Sequence, residues 1–180
     1  MQNCQLNFRV NFNKEVKIMK KLKVDLEMIA NALEDANRID MDYYLDKETG
    51  EVIITSEETF RYAEEDEDNI REDLPDWQKE DIKLAQDILF KNPDRYIRIP
   101  ERPPYEGYNL MVEFAEKVED ELLREKLSIA LDGKGAFRRF KNVIGDYPDY
   151  REKWFKFRDE RLNKEVIEWL NSIGIEPYKE

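Results

Sequence analysis

Residues 133–141 read Gly-Lys-Gly-Ala-Phe-Arg-Arg-Phe-Lys and combine types and spacing that could hold an anion. Two glycines ahead of a helical stretch can present free backbone N–H groups, while Lys134, Arg138, Arg139 and Lys141 supply charge. Arg158 extends the same basic surface toward the C-terminus. The stretch lacks the GK[ST] ending of a P-loop and the spacing of a dinucleotide fingerprint. A plainer assignment makes Gly133 a helix C-cap, places Phe137 and Phe140 in the core, and pairs the arginines with nearby carboxylates; the sequence favours it.

Three other sets carry weaker signals. The run Glu64-Glu65-Asp66-Glu67-Asp68 could gather a hard cation, but it has neither the EF-hand spacing nor its turn glycine. Asp46 and Glu48 could form a carboxylate pair, although a hairpin-turn role accounts for both. Trp154, Phe155 and Phe157 could stack nucleobases, yet the stripe continues through Leu162, Val166 and Trp169, as a core-facing helix would. Phe155 falls off that stripe.

The chain has no histidine and one cysteine, Cys4. That removes Ser-His-Asp and Cys-His catalysis and nearly all zinc sites, leaving carboxylates, Lys, Tyr or a carboxylate-held divalent ion. No catalytic residue, cofactor site or metal site is assigned. A lone cysteine forms no intramolecular disulfide and agrees with a reducing compartment, and neither a membrane span nor a signal peptide is legible. The expected location is cytoplasmic.

At 180 residues with 41% hydrophobic and 40% charged content, one core under a heavily charged surface is expected. The net charge of −12 disfavours non-specific binding to nucleic acid or anionic membrane. It is unevenly spread. Residues 57–81 hold twelve acidic and three basic side chains, whereas residues 134–164 hold ten basic and five acidic ones.

These sets need elements to position them. Apolar spacing with Asp25 as N-cap predicts a first helix to about residue 36, directly after a natural start at Met19-Lys20-Lys21-Leu22. Residues 1–18 are expected to be a disordered leader or upstream extension. Residues 41–55 read as a β-hairpin, with Asp46 holding the turn and Gly50 taking a positive φ; 96–100 is a candidate third strand, at an edge because prolines follow. Helices are predicted over 76–91, after Gly107, from an N-cap at Asp120 to Gly133, and over about 149–173. The fold class is α+β: a mainly helical single domain over 19–178 with a small antiparallel sheet.

The segments YYLDKETGEV (43–52), NPDRYIRIP (92–100), GYNLMVEF (107–114), GKGAFRRFKN (133–142) and WFKFRDERL (154–162), in this order, resemble the bacterial uncharacterised protein family UPF0158. The resemblance covers roughly 19–177 and implies no assigned activity. The expectation that follows is a non-enzymatic interaction module whose basic surface over 138–164 meets an acidic protein partner, with the segment 57–81 able to cover it in cis. The alternatives are an RNA or phosphate-ligand binder on the same surface, and a carboxylate enzyme with a divalent metal.

Overall fold

The structure is a computed structural model describing residues 19–35, 38–65 and 73–178. Residues 1–18 with Cys4, and residues 66–72 of the acidic segment, lie outside the described residues.

Local chemistry explains most element boundaries. Helix α1 (Leu26–Glu34) starts where Asp25 Oδ1 accepts the Met28 N–H at 3.0 Å, and α5 (Glu121–Leu131) starts where Asp120 Oδ1 accepts the Leu123 N–H at 2.9 Å. Strands β2 (Met41–Asp46) and β3 (Val52–Ser56) form the expected hairpin. Asp46 Oδ1 accepts the Glu48 N–H at 2.8 Å, its Oδ2 accepts the Thr49 hydroxyl at 2.9 Å, and Gly50 takes φ +81. Strand β4 (Tyr96–Arg98) pairs antiparallel with β2 and makes the sheet order β3-β2-β4, an edge strand as its prolines require.

Strands β1 (Lys20–Lys23) and β5 (Ile175–Tyr178) were not legible in the sequence: they pair in parallel, with Lys20 opposite Ile175 and Lys23 opposite Tyr178. The stretch expected to lead straight into α1 is therefore a strand. It buries only Leu22 among lysines, so it shows no alternation to read.

The three-stranded sheet is covered on both faces. Leu45, Val52, Ile97 and Ile99 pack with Ile29 and Leu33 of α1, Leu22, Ile175, and Val166 and Leu170 of α7 (Pro148–Ser172). On the other face Tyr44, Ile53 and Tyr96 meet Phe60 of α2 (Glu57–Glu65), Leu84 of α3 (Asp76–Gln86) and Ile88. Ile88 lies in a π-helical turn, Asp87–Lys91, that extends α3. Where it is described, the acidic segment is thus helical apart from 73–75, and anchored: Ala63, Ile82 and Ala85 share a core cluster, and Ser56 Oγ opens α2 by accepting the Thr59 N–H at 3.1 Å.

A second, wholly helical core holds α4 (Pro104–Glu116), α5, α6 (Ala136–Gly145) and the N-terminal half of α7. Residues 107–131 form two helices, and α4 begins at Pro104, so Gly107 lies inside it rather than before it. Helix α7, about 37 Å long at the usual rise, ties the helical core to the sheet.

Candidate functional site

Phe114, Phe140 and Trp154 interlock edge to face at the centre of the helical core, with centroids 5.2 Å apart for Phe114–Trp154 and 4.9 Å for Phe140–Trp154. Phe157 joins them 5.7 Å from Phe114. Trp154 and Phe157 are therefore core, as the stripe in the sequence implies.

The outward side of this cluster is a groove of about 750 Å³. Helix α4 contributes Pro104, Gly107, Leu110 and Met111; α6 contributes Phe137, Phe140, Lys141 and Ile144; α7 contributes Arg151, Trp154, Phe155 and Arg158. Each helix supplies one face at the three-and-four spacing that stacks side chains along an α-helix. The floor is buried, whereas Phe137 and Phe155 leave 48% and 44% of their surfaces exposed. Gly107 makes room for one of them, since a β-carbon there would stand 3.3 Å from Phe137 Cε1.

The basic residues of 134–164 divide by partner. Lys156, Arg158, Arg161 and Lys164 pair with Glu160, Asp159, Glu113 and Glu168. Lys153 lies over Tyr150. Among the described residues, Lys134, Arg138, Lys141 and Arg151 have no ion pair. Two of these four, Lys141 and Arg151, line the groove. Arg158 reaches it over the Phe155 ring, 5.5 Å from the centroid, while holding Asp159 at 3.0 Å.

Of the five predicted site residues, the groove gathers Lys141 and Arg158, while Lys134 and Arg138 are exposed beyond it. Arg139 is spent inside the fold. Its guanidinium donates to the carbonyls of Ala130 at 2.9 Å, Asp132, Gly133 at 3.3 Å and Lys134, closing the α5 C-terminus onto α6. The glycine corner is thus an internal cap, with Gly133 at φ +71 and Gly135 at φ +80. Arg151 was missed, although 151, 154, 155 and 158 repeat on one helical face, the signal that would have found it.

Among the described residues the carboxylates assemble no cation site, and Asp66, Glu67 and Asp68 of the acidic run lie outside them. No group of three metal-ligating side chains occurs among the described residues. Where carboxylates converge they surround a guanidinium: Arg102, its side chain 8% exposed, meets Glu34 at 3.6 Å, Glu106 at 3.7 Å and Glu165 at 2.9 Å. Burial raises the Glu165 carboxyl above its ordinary range against the pull of Arg102. Asp46 is likewise internal, 3% exposed and held by Arg95 at 2.6 Å and by the turn.

Fold and groove define an α+β protein in which one long helix joins a helical core to a small sheet packed on both faces, with a mostly apolar groove on its helical half that is rimmed mainly by cations. The model of the uncharacterised protein family UPF0158 matches residues 19–180, and the chain belongs to that family. It is similar to the UPF0158 protein PA5073 of Pseudomonas aeruginosa, 26% identical over 160 residues that cover 88% of each chain. No solved structure matches. Among the described residues no helix is long and apolar enough to cross a membrane.

Proposed function

We propose that the chain is a non-enzymatic cytoplasmic interaction module whose groove between α4, α6 and α7 receives an acidic, apolar-anchored segment of a partner protein. The observation that carries this is the pairing of two half-exposed phenylalanines with two cations that have no partner among the described residues, in one concave site. Completing the burial of Phe137 and Phe155 would contribute about 1 kcal/mol each. Lys141 and Arg151 would then select carboxylates, adding specificity and encounter rate more than affinity. The described helices of the acidic segment 57–81 pack on the sheet and each other, and this reading does not draw on the segment as a cover in cis.

The test places a photo-crosslinking phenylalanine analogue at position 155, with position 54 on the sheet edge as control, and exposes the full chain to lysate. A protein crosslinked at 155 and lost in the Lys141→Glu, Arg151→Glu variant supports the reading. Nucleic acid crosslinked at 155 and removed by nuclease would replace it with the RNA-binding alternative, since aromatic faces and cations also serve single strands. No crosslink above that at position 54 would end it.

A further inference from the structure

The most exposed large apolar side chains on any helix, among the described residues, are Leu122 and Ile129, at 72% and 68%. Both lie on α5, seven residues apart, and so share one face two turns apart. That face does nothing for the chain's own core, which α5 serves through Leu123, Leu127, Ala130 and Leu131. A lone exposed leucine needs no explanation, but two at helical register on an 11-residue helix form a stripe.

The surroundings of this stripe are mostly acidic; Lys126, on the same face between the two anchors, donates its Nζ to the Tyr147 hydroxyl at 2.8 Å. Glu119, Glu125 and Asp132 are exposed and have no ion pair among the described residues, and Glu121 holds Arg124 only at 3.9 Å. Residues 119–132 carry five acidic and two basic side chains. An acidic helix face with apolar anchors is the chemistry that the groove of α4, α6 and α7 lacks. One surface offers Leu122 and Ile129 among carboxylates, and the other offers Phe137 and Phe155 between Lys141 and Arg151.

We infer that a second copy of this chain seats its α5 face in the groove, so that the protein self-associates through two different surfaces. The inference rests on the groove reading above and names an occupant for it. Because groove and stripe are distinct patches, the contact is heterologous; it closes where each copy donates α5 to the other or where successive copies complete a ring. The contact is small, and two chains of net charge −12 repel, so it is a weak one, with a dissociation constant on the order of 10–100 µM. A partner bearing a better acidic segment then has to displace a neighbour, and its apparent affinity falls as the chain's own concentration rises.

The experiment is sedimentation equilibrium of the full chain up to about 1 mM, a range that brackets the expected constant. The wild type should associate reversibly. Leu122→Glu with Ile129→Glu removes the stripe and Phe155→Glu blocks the groove; all three positions are exposed, so both variants keep the fold, checked by an unchanged circular dichroism melt. Each should raise the dissociation constant about 100-fold, as loss of a central anchor does. Mixed in equal amounts, the two variants should associate again, because one retains an intact groove and the other an intact α5.

A wild type that stays monomeric at about 1 mM, well above the constant expected here, overturns the inference. Association that survives either variant, or that mixing fails to restore, overturns it too. The failures are separable from that of the groove reading: a monomeric chain that still crosslinks another protein at position 155 leaves the groove reading standing. Crosslinks from 155 into residues 121–131 of a copy support both.

Discussion

Replacing Asp46 with asparagine removes one charge from an ion pair in which the Asp46 side chain is only 4% exposed, while keeping the side chain's shape. Asp46 Oδ1 accepts from Arg95 Nε at 2.9 Å and Oδ2 accepts from the same guanidinium at 2.6 Å, on top of the turn bonds from Glu48 and Thr49. Burial by itself would push this carboxyl up, but the hydrogen bonds from Arg95, the Glu48 amide and the Thr49 hydroxyl outweigh it and hold it at about 2. A downward displacement of nearly two units from the ordinary value corresponds to about 2.5 kcal/mol of stability at neutral pH. Asparagine can still serve the turn through its oxygen. Arg95 keeps Glu48 at 3.2 Å and is 30% exposed, so the loss stays below the ~3–5 kcal/mol of a fully buried orphan.

The expected cost of Asp46→Asn is therefore about 2–3 kcal/mol at pH 7, or a melting temperature lower by roughly 5–10 °C for a chain of this size. Its pH dependence has a definite sign. A carboxylate depressed in the folded state stabilises above its unfolded pKa, so the difference between wild type and variant is full above about pH 5. It should shrink as pH falls through 4 and nearly vanish by about pH 2. Thermal melts of both proteins across this range give the difference curve, in which other titrating groups cancel. A cost under about 0.5 kcal/mol at pH 7, or a difference that does not change with pH, would refute the argument that the Asp46 charge ties the hairpin to β4.

Three further substitutions test local packing, one at the hairpin turn and two at the corner between α5 and α6. At Gly50 a β-carbon would lie 2.0 Å from the Lys23 carbonyl oxygen, and φ is +81, so Gly50→Ala should cost about 3 kcal/mol or more. Hydrogen exchange should show the loss first at the amides of β1, with α5 unaffected. Arg139→Met strips the carbonyl partners from the α5 C-terminus and should cost about 1.5–3 kcal/mol by chemical denaturation, whereas Arg138→Met beside it should stay within about 0.5 kcal/mol. Equal effects at the two positions would remove the distinction between an arginine spent on the fold and one facing solvent.

Much of the fold was legible because its signals are local. Asp25 and Asp120 cap helices through bonds that span three residues, and the Asp46–Gly50 turn closes within five residues of chain. The apolar spacing around Trp154 marks a core-facing stripe in the same way. The parallel pairing of β1 with β5 was illegible for the converse reason, since β1 has one apolar residue among lysines, β5 is four residues long with a proline inside it, and each lies at the opposite end of the described chain from its partner.

The site divides along the same line. Lys141 and Arg158 were named from charge alone, and both reach the groove; Arg139 was named on equal grounds, and its guanidinium turned inward to carbonyls. Neighbouring arginines on a helix point about 100° apart, so one can cap a preceding helix while the other meets solvent. By itself the sequence determined helix ends, the hairpin, the charge asymmetry and the removal of histidine chemistry, because each depends on residue type or on contacts a few positions away. Only the tertiary structure decided which cations lack partners, that Phe155 and Phe137 line one groove, and that the carboxylates around Arg102 are already taken. Those facts depend on side chains brought together from distant helices, and no local pattern encodes that geometry.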